Sequence, residues 1–319
     1  MIEWLRSWIV SFVPWGLEVI VWAQSWSTPA LDRFFNLAAF LGDEEFFFLL
    51  LPLIYWCFSK RIGRWLAYGV LVCTYVNSFI KHIFMIPRPN DPRIVVMRPV
   101  DPPNPSFPSG HAQSGVAVWG FLAHRVRRVS AWAVAILIIL VVGLSRIYLG
   151  AHPPQAVLGG WIVGVVYLCL FLWLMPRLER WLGSQRLTVK SALAVVLPVA
   201  GLFLHGADLR GLYPAPDAAT VTGVLLGMSV GFLLEPRWID FRVEGPWWQR
   251  VLRVALGLIV VGVFWQGPKL LLPEDVAHAA AIAVRFLRYA LTGLAAILLV
   301  PWLFVRLRLA SSSRPAAGG

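Results

Sequence analysis

Runs of about twenty apolar residues recur along most of the chain, and this feature leaves few folds open. A backbone in hydrocarbon must satisfy its own hydrogen bonds, so each run is expected to be a helix. Of the 319 residues, 59% are hydrophobic and 14% are charged, whereas a soluble domain usually carries about 25% charged residues. That balance excludes a secreted disulfide scaffold, a disordered chain and an ordinary cytosolic enzyme. Cys57, Cys73 and Cys169 all lie in apolar runs and read as small buried hydrophobes. The net charge of +12 is assigned to membrane topology and anionic lipid, with no nucleic-acid partner expected.

The expected fold is therefore all-α: a polytopic membrane helix bundle of about nine transmembrane helices. The runs lie near 44–58, 64–84, 110–126, 130–149, 153–175, 189–205, 217–235, 250–267 and 281–305. Residues 1–26 are apolar but are interrupted by Glu3, Arg6, Pro14, Glu18 and Gln24. They read as one or two interfacial helices, and the count rises to about ten if this segment spans. Residues 28–42 read as an amphipathic surface helix. The expected organisation is an N-terminal interfacial region over 1–43 and a core over 44–176. Additional C-terminal transmembrane helices follow over 177–309, then a disordered tail over 310–319.

Basic residues alternate onto one set of loops: Lys60, Arg61 and Arg64; Arg125, Arg127 and Arg128; Arg177, Arg180, Arg186 and Lys190; Arg237, Arg242, Arg250 and Arg253; Arg306 and Arg308. The positive-inside rule makes that face cytoplasmic. The opposite face should be poor in cations, yet Lys81, Arg88, Arg93, Arg98, Arg146, His111 and His152 fall at or near it. One snorkelling Arg needs no special account. A group drawn from three loops onto one rim points to function.

The spacing sharpens that reading. Lys81 is followed by Arg88-Pro89 at the end of one run. Pro108-Ser109-Gly110-His111 opens the next. Ser145-Arg146 is followed by His152 across a tight turn. Two imidazoles, two guanidinium groups and one ammonium suit a tetrahedral dianion. A helix start at Ser109 adds backbone N–H donors, and Gly110 allows close approach. No carboxylate cluster offers to hold magnesium and no Cys/His set has zinc spacing, so chemistry without a metal or other cofactor is expected.

The order K-x6-R-P, P-S-G-H and S-R-x5-H resembles the signature of the type 2 phosphatidic acid phosphatase superfamily, across roughly residues 44–175. The segment from Leu144 to His152 looks most like the glucose-6-phosphatase branch. The resemblance implies a phosphatase core. It further implies that His152 is the nucleophile, forming a phosphohistidine, and that His111 is the acid and base. Lys81, Arg88, Ser109, Gly110 and Arg146 would hold the phosphoryl oxygens. The expected function is hydrolysis of a phosphate monoester or pyrophosphate, lipid-linked, at the extracytoplasmic face of a bacterial inner or plasma membrane. Partners are then a phosphorylated lipid or small phosphate ester and the membrane lipids. The helices after Lys190 would cap the core or build a dimer contact, which makes a homo-oligomer a partner to consider. The alternatives are a sugar-phosphate phosphatase, a head-group phosphotransferase and an inactive phosphate- or lipid-binding relative.

One position departs from the resemblance. Most of the superfamily has Asp four residues after the nucleophilic His, where it orients the ring, and Ala156 stands there in this chain. Losing such an orienting group costs about 10⁴ in rate in a comparable Ser-His-Asp site. Gln155, Glu44 and Glu45 are the candidate substitutes. An engineered inactive form and a natural loss of activity are the other two readings.

Overall fold

The computed structural model describes residues 1–99, 104–205, 217–267 and 278–313. Residues 100–103, 206–216 and 268–277 lie outside the described residues. Among those described, the chain is helical and its β pairing is one isolated bridge. The helices are α1 (Ile2–Ser11), α2 (Val13–Gln24), α3 (Pro29–Phe40), α4 (Glu44–Cys57), α5 (Lys60–Phe84) and α6 (Gly110–Val126). Then come α7 (Val129–Tyr148), α8 (Pro154–Ser184), α9 (Leu187–His205), α10 (Asp217–Trp238) and α11 (Trp247–Gln266). The chain ends with α12 (His278–Leu294), a π-helical turn (Ala295–Leu299) and α13 (Val300–Arg306).

Seven stretches among the described residues are long and apolar enough to cross a membrane: Ile2–Gln24, Val129–Tyr148, Pro154–Ser184, Leu187–His205, Ala218–Trp238, Trp247–Gln266 and His278–Arg306. The expected polytopic helical architecture stands, but the set of spans differs from the sequence reading. The N-terminal stretch enters it, while α4, α5 and α6 do not meet the test. The reason is physical. Helix α4 has 14 residues and α6 has 17, both under the roughly 20 that a full span needs. Helix α5 has 25 residues, but Lys60, Arg61 and Arg64 open it and Asn77, Lys81 and His82 close it. These are the helices that carry the polar groups described below.

The chain divides into two compact units that do not follow its linear order. One comprises Met1–Phe47 and Val72–Pro176; the other comprises Phe48–Leu71 and Arg177–Gly319. In the first, α2, α3 and α6 pack on α7. The start of α8 lies close against α6. A Cβ at Gly160 would lie 2.6 Å from the Ser109 carbonyl, and one at Gly164 would lie 2.9 Å from the Gln113 carbonyl. Small residues thus let two backbones touch, as membrane helices often require.

The second unit is built around α10 and α12. Gly223 and Gly227 of α10 face the carbonyls of Phe286 and Ala290, and Gly293 of α12 returns the contact toward Val224. Trp56, Tyr55, Phe232, Phe241 and Phe304 form its apolar core. Lys60 closes one end, donating to Glu235 at 2.9 Å, Asp240 at 3.1 Å and the Phe241 carbonyl at 3.1 Å. The tail expected to be disordered from residue 310 is ordered at its start. Arg242 N–H donates to the Ser311 carbonyl at 2.8 Å and Ser313 N–H to that of Asp240 at 2.9 Å. Residues 314–319 lie outside the described residues.

The α10–α12 seam leaves no room for a side chain at Gly227. Gly227→Val is expected to cost about 3 kcal/mol through overpacking, read as a lower thermal midpoint in detergent. An unchanged midpoint would show that the seam tolerates separation.

Candidate active site

Three backbone devices bring the motif residues together, all within the first unit. Helix α5 ends where Met85 takes a left-handed φ of 49°, its N–H returning to the Lys81 carbonyl at 2.8 Å. This leaves Lys81 in the last turn of the helix. Helix α7 ends at Gly150, whose φ of +71° suits glycine and whose Cβ position is filled by the Val95 carbonyl at 2.7 Å. The chain then doubles back, and the N–H groups of Ala151 and His152 both donate to the Arg146 carbonyl, at 3.0 and 3.1 Å. Pro153 follows, and Pro154 opens α8 two residues after His152. Third, the Ser109 N–H donates to the Ala156 carbonyl at 2.9 Å, tying the start of α6 to the start of α8.

His152 is 1% exposed. Its Nδ1 lies 2.8 Å from the Ser106 carbonyl oxygen, which can only accept, so Nδ1 carries the proton. Nε2 then holds the free electron pair, 3.3 Å from Arg88 Nη1. Burial, then the charges of Arg88, Arg146, Lys81 and His111, hold this imidazole well below its ordinary pKa. It is a neutral base in a cationic surround.

Arg88 is bound on every side. Nε donates to the Asn104 carbonyl at 3.0 Å, Nη2 to Asn104 Oδ1 at 2.7 Å, and Nη1 to the Ala151 carbonyl at 2.8 Å. Burial lowers its pKa to about 10, which leaves it charged at neutral pH. Lys81 Nζ reaches the same Asn104 Oδ1 at 3.2 Å. Arg146 is 2% exposed, and its Nε and Nη1 have no hydrogen-bond partner among the described residues. The buried Ser109 hydroxyl is likewise unpartnered there. Unsatisfied donors on a buried guanidinium are costly, and an anion is the group that would satisfy them.

His111 faces a different partner. Its Nε2 lies 2.6 Å from Asp43 Oδ1, and the second oxygen of that carboxylate pairs with Arg98 at 2.8 Å. Burial pushes the Asp43 carboxyl up, but His111 and Arg98 outweigh it, and the group ends below its ordinary value. Gly110 sits at the helix start, where an added Cβ would lie 3.3 Å from Asn77 Oδ1. Asn77 in turn donates to the Pro108 carbonyl at 3.3 Å and to Gln113 Oε1 at 2.8 Å, holding the Pro-Ser-Gly-His turn from beneath.

The structure thus gathers Lys81, Arg88, Ser109, Gly110, His111, Arg146 and His152 in one unit. The four candidate orienting residues take other places. Gln155 lies against Gly16 of α2, and its amide has no hydrogen-bond partner among the described residues. Glu44 and Glu45 are exposed at the start of α4. Ala156 contributes its carbonyl to Ser109. The group at His152 Nδ1 is a backbone carbonyl, which no residue type announces. Asp43 and Asn104 were also missed. Asp43 stands 68 residues from its imidazole partner, and Asn104 lies in a Pro-rich run that reads as a loop. Among the described residues, no three His, Cys, Asp or Glu side chains meet as a metal site requires.

The fold and the site define a polytopic helical membrane protein with a largely buried cluster of two imidazoles and three cations. The PAP2 superfamily model matches residues 62–180, and the model of the PAP2 superfamily phosphatase transmembrane extension matches 219–312. The chain belongs to the PAP2 superfamily. It is 26% identical over 250 residues to the lipid phosphate phosphatase delta of Arabidopsis thaliana, covering 71% of this chain and 58% of that protein. It is 27% identical over 245 residues to a dihydrosphingosine 1-phosphate phosphatase of Schizosaccharomyces pombe, covering 71% and 58%. With the sphingosine-1-phosphate phosphatase 1 of Mus musculus it shares 24% over 313 residues, covering 85% and 71%. The chain thus spans under two thirds of the length of the first two relatives. No solved structure matches it.

Arg146 is held buried against its own solvation, so function and stability should oppose each other there. Arg146→Met is expected to raise the thermal midpoint, by the equivalent of about 1–3 kcal/mol, and to abolish orthovanadate binding. A lowered midpoint would show that the guanidinium is structurally satisfied.

Proposed function

We propose that this chain is an integral membrane phosphatase that hydrolyses a phosphorylated lipid through a phosphohistidine at His152, on the extracytoplasmic face. The observation that carries the reading is His152 itself, neutral, with one ring nitrogen fixed on a carbonyl and the other presented among Arg88, Arg146 and Lys81. The substrate class follows from the membrane-spanning architecture and from relatives whose names specify lipid and sphingoid-base phosphates.

In the first step, His152 Nε2 donates its electron pair to phosphorus. The N–P bond forms, the bond from phosphorus to the leaving oxygen breaks, and that oxygen takes a proton from His111. Phosphoryl transfer asks mainly for positioning and charge neutralisation, which Lys81, Arg88 and Arg146 supply with the Ser109 hydroxyl and the Gly110 N–H. In the second step, His111 takes a proton from water, whose oxygen attacks phosphorus. The N–P bond breaks and inorganic phosphate leaves. Asp43 supports both steps by stabilising the protonated form of His111. The Ser106 carbonyl does the orienting that a carboxylate at position 156 would otherwise do. Because the cations that meet the phosphate are side chains, the reaction runs without a metal.

The test is phosphate release in detergent with EDTA, from sphingosine 1-phosphate, phosphatidic acid and glucose 6-phosphate. The lipid phosphates should turn over, and His152→Ala should stop turnover. Ala156→Asp should bring no gain, because Nδ1 already has an acceptor. Activity restricted to Ala156→Asp would overturn the orienting role of Ser106, and turnover of glucose 6-phosphate alone would overturn the lipid assignment.

The pH profile follows from the lowered pKa of His152. A depressed base keeps its attacking form as pH falls through the ordinary imidazole value of 6.5. The acid limb of kcat/KM is therefore expected below that pH. Asp43→Asn should lower kcat by about 100-fold without moving that limb. An acid limb at or above the ordinary value would argue that His152 is not the nucleophile.

A further inference from the structure

Asn104 accepts three hydrogen bonds from two of the site's cations. Its side-chain oxygen accepts from Arg88 Nη2 at 2.7 Å and from Lys81 Nζ at 3.2 Å, and its backbone carbonyl accepts from Arg88 Nε at 3.0 Å. Two charged donors from separate segments, the end of α5 and the loop after it, converge on one neutral oxygen. We infer that Asn104 is a positioning residue: its amide oxygen holds Lys81 and Arg88 side by side so that both face one phosphoryl group. The inference rests on the proposed use of these two cations for phosphate.

Two cations repel, and a flexible lysine beside a fixed arginine would otherwise turn away from it. An acceptor between them offsets that repulsion. Its charge decides whether the pair is still useful. A carboxylate at this place would bind both cations more tightly, cancel much of their field and compete with the incoming dianion. A neutral amide oxygen supplies the geometry and leaves the positive charge for the ligand. The remaining contacts agree with this division. Arg88 Nη1 is spent on the Ala151 carbonyl and on His152 Nε2, so Asn104 takes the other two nitrogens and locks the guanidinium plane. Arg146 has no comparable acceptor on Nε or Nη1 among the described residues, and it stands as the cation left open to the anion. The site thus contains one aligned pair and one unsatisfied partner, and Asn104 makes the pair.

The positioning role and a merely structural one predict opposite orders for two substitutions. Asn104→Asp keeps the shape and both acceptor positions; Asn104→Ala loses them. If Asn104 only braces the loop, the Asp variant is the milder. If it aligns cations for an anion, the Asp variant is the worse. The probe is orthovanadate binding to the full chain in detergent, measured by calorimetry, beside lipid-phosphate turnover. Asn104→Ala is expected to weaken vanadate binding by about tenfold and to act on KM more than on kcat. Asn104→Asp should weaken it further, with an unchanged or raised thermal midpoint confirming that the fold is intact. Vanadate binding by Asn104→Asp equal to wild type, or tighter than by Asn104→Ala, overturns the proposal. So does a wild-type chain that binds no vanadate. A wild type that binds vanadate with the expected order of variants but turns over no phosphate ester leaves the positioning role standing and defeats the phosphatase reading.

Discussion

Arg88 is the group on which the rest of the site depends. Its guanidinium touches Asn104 twice, the Ala151 carbonyl and the His152 ring, and so joins the loop after α5, the approach to α6 and the turn before α8. A partly buried cation in an apolar protein costs least when its N–H groups find acceptors. Arg88 meets that demand with backbone carbonyls and one amide, all neutral. The charge is therefore solvated by the fold without being cancelled, and it remains available to an anion. Lys81 shares one of those acceptors, and Arg146, lacking them on two nitrogens, is the complement.

This demand explains why the helices that build the site do not look like ordinary membrane spans. Helix α5 gives its last turns to Asn77, Lys81 and His82, and α6 gives its first turns to His111, Gln113 and Ser114. Those polar groups shorten the apolar stretch that would face lipid. The purely apolar work falls to α7, the long α8 and the helices of the second unit. There glycine seams and aromatic packing hold the bundle, and polar contacts such as Lys60 with Glu235 and Asp240 gather near helix ends.

Much of the site was legible in the sequence because its chemistry needs particular residue types at particular spacings. Lys81, Arg88, His111, Arg146 and His152 stood out as cations or imidazoles on a rim where topology does not call for them. The missed parts are missed for different physical reasons. Ser106 acts through its carbonyl, a group that every residue has. Asp43 precedes two more conspicuous acids, Glu44 and Glu45, and only the fold selects which of the three points inward. Asn104 is neutral and sits among prolines, so neither charge nor periodicity marks it. The membrane count was blurred at α4, α5 and α6 because hydropathy averages a helix, whereas the polar residues of these helices are concentrated at its ends.

The replacement of a carboxylate by Ala156 now has a physical meaning. A carboxylate behind a nucleophilic imidazole both fixes its tautomer and stabilises positive charge on the ring. The Ser106 carbonyl fixes the tautomer and supplies much less of the second effect. In this chain the negative charge stands instead behind the other imidazole, where Asp43 contacts His111. In the proposed reaction that is the ring which must carry a proton to the leaving oxygen, so the charge lies where protonation is needed. His152, with a neutral acceptor and three cations around it, is kept as a base. Burial and the neighbouring cations lower both imidazoles, His111 to about 4 and His152 well below its ordinary value; Asp43 opposes that lowering at His111, so the asymmetry between nucleophile and acid rests on that one carboxylate.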